Sequence, residues 1–235
     1  MPPLKSQENQ YFVSNNAYPP SIAHLIQGLN KKSQALFTLR KKIILTKQNS
    51  PFKGLYIPLS GILKQTHQLK AGDELLTHFF LPGDIIGLDA MGEESYFGTV
   101  TAIETSCLLH IPFIHIEDLS ISRTIHIQLL NCLSRAIHNE HKKAWQMNNH
   151  PPDIRLASFL INISLHFRNR GFSPHCFRLG MSRNEIAQYL GMASETLSRL
   201  ISRFKQEGVL SVISHVFCIL NTESLAAIAE QRRRR

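Results

Sequence analysis

The pattern of apolar and polar positions is sharpest between Met181 and Leu210, MSRNEIAQYLGMASETLSRLISRFKQEGVL. Ser182 and Glu185 have the S-x-x-E spacing of a capping box, so a helix is predicted to start just after Ser182. Ile186, Tyr189 and Leu190 then fall at i, i+3, i+4 and give it one apolar face. Gly191 supplies the left-handed residue at which that helix ends, and the small Ala187 lets a second helix cross close by. Leu197, Leu200, Ile201 and Phe204 repeat the helical spacing, while Ser194, Glu195, Ser198, Arg199 and Ser202 form the opposite, polar face. The pattern predicts a helix-turn-helix whose second helix lies in a DNA major groove. An ordinary helical hairpin with a solvated outer face is the alternative. The residue types favour the former: Arg pairs with guanine O6/N7 and Glu accepts from cytosine N4, so Arg199 and Glu195 suit adjacent base pairs. The same two residues also have the i,i+4 spacing of an ion pair.

Between Ile43 and Pro112 the texture changes. Gly54, Gly61, Gly72, Gly83, Gly87, Gly92 and Gly98 punctuate short apolar runs such as GLYIPLSGILKQTHQL and YFGTVTAIETSCLLHIP. Short strands between regular turn signals predict a β-roll. Residues 21–42 read as a short helical segment with a basic end (Lys31, Lys32, Arg40, Lys41, Lys42), and residues 1–20 as a flexible arm. Asp118 to Trp145 is long and amphipathic, with Ile125, Leu129, Leu133, Ala136 and Ile137 as its apolar stripe and Arg135, His138, Glu140 and Lys142 beside it. It is either a core helix on the roll or a coiled-coil dimerisation helix.

After a hinge at NNHPP, Asp153 is placed to cap a helix through Leu165. Phe177 to Leu179 reads as a short strand. Val209–Ile213 and Val216–Leu220 flank Ser214 and His215 as a wing hairpin, and Thr222 caps a last helix. The fold class is therefore α+β: 21–117 a β-roll, 118–147 a long helix and 148–235 a winged helix-turn-helix, after the arm at 1–20.

The formal charge of +9 and pI near 9.6 favour a polyanionic partner, nucleic acid before membrane. No apolar run approaches the roughly 18–20 residues that span a bilayer, and the first residues lack a signal-peptide pattern, so a cytoplasmic protein is expected. Cys107, Cys132, Cys176 and Cys218 are scattered without a C-x-x-C spacing and read as buried thiols. An enzyme is the competing class, but no Cys/His pair, paired carboxylates or phosphate-binding glycine loop supports it. His138 and His141 lie at i,i+3 near His126, without a carboxylate or thiolate spaced to complete a metal site; His78, His110 and His115 fall in the roll without a visible partner.

GMASETLSRLISRFKQEGVL resembles the recognition helix of the Crp/Fnr family of bacterial transcription regulators, and its E-T-x-S-R core is similar to the Fnr branch. LPGDIIGLDAMG and ETSCLLHIPF resemble the family's sensor barrel, and DIRLASFLINISLHFRNRGFSP the start of its DNA-binding domain; the likeness covers roughly residues 43–225. The resemblance implies a homodimer joined through Ile125, Leu129, Leu133, Ala136, Ile137 and Glu140, acting on double-stranded DNA. It places half-site reading of TTGAT on Glu195, Ser198 and Arg199, with Ser194, Thr196, Ser182, Arg183 and Arg203 as further DNA contacts. The Crp branch has an Arg where this chain has Ser194, which points to the TTGAT-N4-ATCAA type of palindrome. Ala193 stands where a capping Ser or Thr is expected, shifting the cap to Ser194.

Gly72 and Asp73 lie in a turn similar to the family loop that touches RNA polymerase; an ordinary β-turn explains the same residues. The family's iron–sulfur cluster is not expected, since no cysteine precedes Cys107 and the internal ligand position falls on Leu109. Neither is cyclic nucleotide: the phosphate-cassette positions are Leu88 and Tyr96, with no Arg between Arg40 and Arg123. No cofactor is predicted; haem sensing of nitric oxide, or another small ligand in the roll, stays open, as does redox control at Cys107 or Cys132.

Overall fold

The computed structural model describes residues 35–70, 72–114 and 123–230, with the side chains of 124–126 excepted. The expected arm, the basic pair Lys31 and Lys32, His115, Asp118 and the Arg232–Arg235 tail lie outside the described residues.

Among the described residues, seven strands make the roll: β1 (Ala35–Leu39), β2 (Ile44–Thr46), β3 (Gly54–Ser60), β4 (Leu63–Gln68), β5 (Glu74–Phe80), β6 (Thr99–Ala102) and β7 (Ser106–Pro112). They form two antiparallel sheets, β1-β7-β3 and β2-β6-β4-β5. The helical reading of 21–42 is corrected at its described end. Ala35 to Leu39 is a strand paired with Ser106 to His110 of β7, which would otherwise present an open edge.

Period-two alternation explains how one sheet serves two cores. In β3 and β7, Tyr56 and Leu108 point into the roll with Leu63, Phe80, Ile86 and Val100. Leu55, Ile57, Leu109 and Ile111 point out, against Cys132 and Leu129 of the long helix. That helix, α1, runs Arg123–Asn149.

α2 (Pro152–Arg168) follows directly, with Pro151 as its N-cap. Asp153 is therefore not the cap. It sits in the first turn, where an acidic side chain favours the helix dipole. The rest of the C-terminal unit is β8 (Cys176–Arg178), α3 (Arg183–Tyr189), α4 (Ser194–Gln206), β9 (Leu210–Ile213), β10 (Val216–Ile219) and α5 (Thr222–Glu230), its strands ordered β8-β10-β9. Ser214 turns the β9–β10 hairpin with a left-handed φ of 54°. One core joins this unit to the roll: Leu156, Leu160, Leu197 and Phe204 share a cluster with Leu76, Phe79 and Leu81.

Candidate nucleic-acid interface

The first helix of the motif starts as its sequence dictates. The Ser182 hydroxyl accepts from Glu185 N, and Glu185 Oε2 accepts from Ser182 N at 2.8 Å, so two orphan donors are satisfied reciprocally. Glu185 has a second partner from the roll: Lys64 Nζ donates to its Oε1 at 2.8 Å. Burial alone would raise this carboxyl, but Lys64 and the Ser182 donors overcome it and hold it below its ordinary value. Tyr189 of the same helix packs on Phe79 of β5, with the Lys143 ammonium over its ring at 4.1 Å. The motif is thus seated on the roll.

Gly191 takes φ 60° between the two helices, and Arg155 Nη1 braces the turn by donating to its carbonyl at 3.3 Å. α4 then begins at an N-cap, Ala193, that makes no side-chain bond. The expected shift of the cap to Ser194 does not occur, because the Ser194 hydroxyl donates to Asn184 Oδ1 at 2.8 Å. That bond ties the recognition helix to its supporting helix. Leu197, Ile201 and Phe204 are buried, and Glu195, Ser198, Arg199 and Ser202 are exposed on the opposite face. Among the described residues no ion pair joins Glu195 to Arg199, so both heads face outward.

The remaining expected contacts divide. Thr196 is half-buried on α4. Ser182 is occupied by its cap. Arg183 lies over the Phe217 ring at 5.6 Å, beside the wing, and burial lowers its pKa. Arg203 is held by Asp153 at 3.2 Å and Glu207 at 3.7 Å, so it joins α4 to α2.

On α1 the structure separates residues that the sequence grouped together. Leu129 and Cys132 pack on the roll, Ala136 and Glu140 line a cavity beside it, and Glu140 accepts a short contact from His78 at 3.2 Å. Ile137 is exposed, and so are Ile127, Leu130 and Trp145, which the stripe omitted. Ile127, Leu130, Ser134, Ile137, His141 and Ala144 all share that open face at alternating 3 and 4 spacing. Leu133 is half-buried between the two faces. Counting apolar residues alone missed this; an uninterrupted heptad search would have found it.

The cavity, about 960 Å³, lies between the roll, α1 and α2. Leu88 and Tyr96 line it, as expected of the cassette positions, but the Tyr96 hydroxyl is committed, donating to Gly54 O at 2.8 Å. Two arginines reach the cavity from outside the roll: Arg135 on α1 and Arg170 after α2. Arg170 is buried against Gly83, and its Nη1 donates to His166 O at 3.1 Å. Sequence reasoning missed both because it sought an arginine only within the roll, between Arg40 and Arg123.

Among the described residues no three His, Cys, Asp or Glu side chains converge on a point. Leu109 is buried in the core against α1 and, among the described residues, Cys107 belongs to no group of three metal-ligating side chains, so these residues do not fit an iron–sulfur cluster. His110 stacks on Tyr56 at 4.5 Å. The reading of all four cysteines as buried thiols is corrected: Cys132 is buried, but Cys176 is exposed and bonded to Cys218.

Gly72 and Asp73 are exposed in the β4–β5 turn, where Leu69 N donates to Asp73 O at 2.8 Å. Among the described residues, no helix is long and apolar enough to cross a membrane.

Comparison with known proteins agrees with this architecture. Residues 154–228 match the Crp-like helix-turn-helix domain and residues 36–122 the cyclic nucleotide-binding domain. The transcriptional activator protein Anr of Pseudomonas aeruginosa is 39% identical over 192 residues, covering 81% of this chain and 79% of that protein. The fumarate and nitrate reduction regulatory protein of Salmonella typhimurium is 37% identical over 211 residues, 89% of this chain and 84% of that protein. The fold is also that of FixK2 from Bradyrhizobium japonicum, with a TM-score of 0.76, 21% identity, and coverage of 84% of this chain and 98% of that one. With its roll, its long helix and its exposed recognition helix, the chain belongs to the Crp/Fnr family of DNA-binding transcription regulators.

Proposed function

We propose that the protein binds, as a homodimer, a palindrome of the TTGAT-N4-ATCAA type and regulates transcription from it in the cytoplasm. The observation that carries this reading is the outer face of α4, where Glu195, Ser198 and Arg199 stand exposed on a helix locked from behind by Leu197, Ile201 and Phe204. Arg199 donates to a guanine edge, Glu195 accepts from a cytosine amino group, and Ser198 serves either. Two such helices are held one DNA turn apart when α1 pairs with α1 along Ile127, Leu130 and Ile137. The turn at Gly72 and Asp73, flanked by the exposed Leu69 and Leu75, is the surface offered to RNA polymerase.

The test is binding of aerobically purified, metal-free protein at fixed salt. The three duplexes are the TTGAT palindrome, a TGTGA palindrome and a random sequence. Selective binding to the first is expected. Arg199→Ala should lose about 1–3 kcal/mol of discrimination at the half-site guanine. Equal weakening on random DNA would sink the assignment.

The signal is read without an iron–sulfur cluster, for which the ligands are lacking, and without cyclic AMP. The cavity favours a second reading, in which a small ligand other than a cyclic nucleotide, haem included, sets the dimer geometry. Its place between roll and α1 supports this, because a molecule there touches Arg135 and Glu140 of the dimerisation helix. Weak, unselective binding by the ligand-free protein, restored on adding the ligand, would favour it. Selective binding without any ligand speaks for a constitutively competent dimer.

A further inference from the structure

Cys176 and Cys218 lie 42 residues apart in sequence but face each other across β8 and β10, with Cα atoms 4.1 Å apart and their sulfurs bonded. Their surroundings differ from those of the other two cysteines. Cys176 is exposed and Cys218 half-buried, whereas Cys132 is buried on the face of α1 that packs against the roll. Burial also pushes the Cys107 thiol up, away from the reactive thiolate. A small thiol or disulfide in solution therefore meets Cys176 at the protein surface.

The link sits where it bears on DNA binding. β8 has three residues and, among the described residues, pairs with β10 alone, through Cys176–Cys218, Phe177–Phe217 and Arg178–Val216. Six residues after Cys176 comes Ser182, the cap of the motif, and on the way Leu179 N donates to His215 O of the wing at 2.9 Å. The bond thus fastens the chain entering the helix-turn-helix to the second strand of the wing. Phe177 is buried in the domain core and would anchor the strand without the bond, leaving only the end of a three-residue edge strand to fray.

We propose that Cys176 and Cys218 form a reversible dithiol–disulfide site that takes a low-molecular-weight disulfide as oxidant, and that its closure tightens DNA binding by the winged motif. The affinity part rests on the palindrome reading above. In the forward direction the Cys176 thiolate attacks one sulfur of the small disulfide and expels one thiolate. Cys218, as thiolate, then attacks Cys176 Sγ and expels the second. The protein loses two electrons and two protons, and both appear in two molecules of small thiol. Excess small thiol runs the same steps backwards.

The test uses the full chain carrying Cys107→Ser and Cys132→Ser, so that only the pair remains. It is equilibrated with glutathione and glutathione disulfide in varying ratio, quenched with acid, alkylated and weighed by mass spectrometry. One two-electron transition is expected, between a species with two alkyl groups and a species with none. In parallel, fluorescence anisotropy on the TTGAT palindrome should give a Kd about fivefold weaker for the reduced form. The variant that adds Cys176→Ser and Cys218→Ser should hold that weaker value in every buffer. Thiols that stay alkylatable throughout, or a stable glutathione adduct on Cys176 alone, would refute the site. A pair that titrates while Kd stays constant would refute its control of DNA binding and leave the palindrome reading intact. A pair that titrates while neither form selects the palindrome would overturn that reading, and the affinity claim with it.

Discussion

Substituting Ile137 separates the two faces of α1. Ile137 is 56% exposed on the open face, beside Leu130 at 62% and Ile127 at 46%. For an isoleucine of about 180 Å², this leaves about 100 Å² per chain for a partner helix, or about 5 kcal/mol across two copies at roughly 25 cal/mol per Å². Alanine keeps part of that surface, so Ile137→Ala should cost about 3 kcal/mol of dimer, near a hundredfold in dissociation constant. The helix itself should not suffer, because alanine is the better helix former. Leu129 is the control: it packs on the roll with Leu55, Ile57, Leu109 and Ile111, so Leu129→Ala should lower monomer stability and leave the dimer constant alone. Sedimentation equilibrium measures the constants, with circular dichroism to verify that each variant is folded. If Ile137→Ala leaves the constant within a factor of two while Leu129→Ala raises it, the seam runs along the other face and the assignment is wrong.

Other outcomes follow from single contacts. Ser182→Ala removes the hydroxyl half of the capping box and should destabilise the DNA-binding domain by about 1 kcal/mol, whereas Ser182→Thr keeps it; chemical denaturation of both variants decides. His166 supplies a pH dependence. Burial pushes it down to about 4 from its ordinary 6.5, the nearby Arg170 adding to the effect against Asp84. The unfolded chain therefore takes up this proton first, so the contribution to stability is complete above pH 6.5 and is lost as pH falls from there toward 4. About 2 kcal/mol should go between pH 7 and pH 5 in the wild type and not in His166→Gln. Equal losses in urea midpoint for the two proteins would remove His166 from the account.

The amino-acid sequence by itself determined those parts of the protein whose physics is local. A capping box, a left-handed glycine and two apolar stripes lie within thirty consecutive residues, so the helix-turn-helix and the outward set Glu195, Ser198 and Arg199 were legible. The wing hairpin and the strand-rich character of the roll followed from turn residues between short apolar runs for the same reason. The tertiary structure decided whatever depends on which distant surface an element meets. Ala35 to Leu39 is a strand because β7 lies beside it. α1 is apolar over much of its circumference, and only the position of the roll distinguishes Leu129, which it covers, from Leu130, which it leaves open. Arg135 and Arg170 reach the cavity, and Lys64 reaches Glu185, across sequence separations that no periodicity spans. Cys176 and Cys218 pair because a short edge strand folds back onto the wing, and their spacing in the chain carries no trace of it. Local propensity acts over a few residues, whereas burial and charge pairing act between surfaces that only the fold brings together.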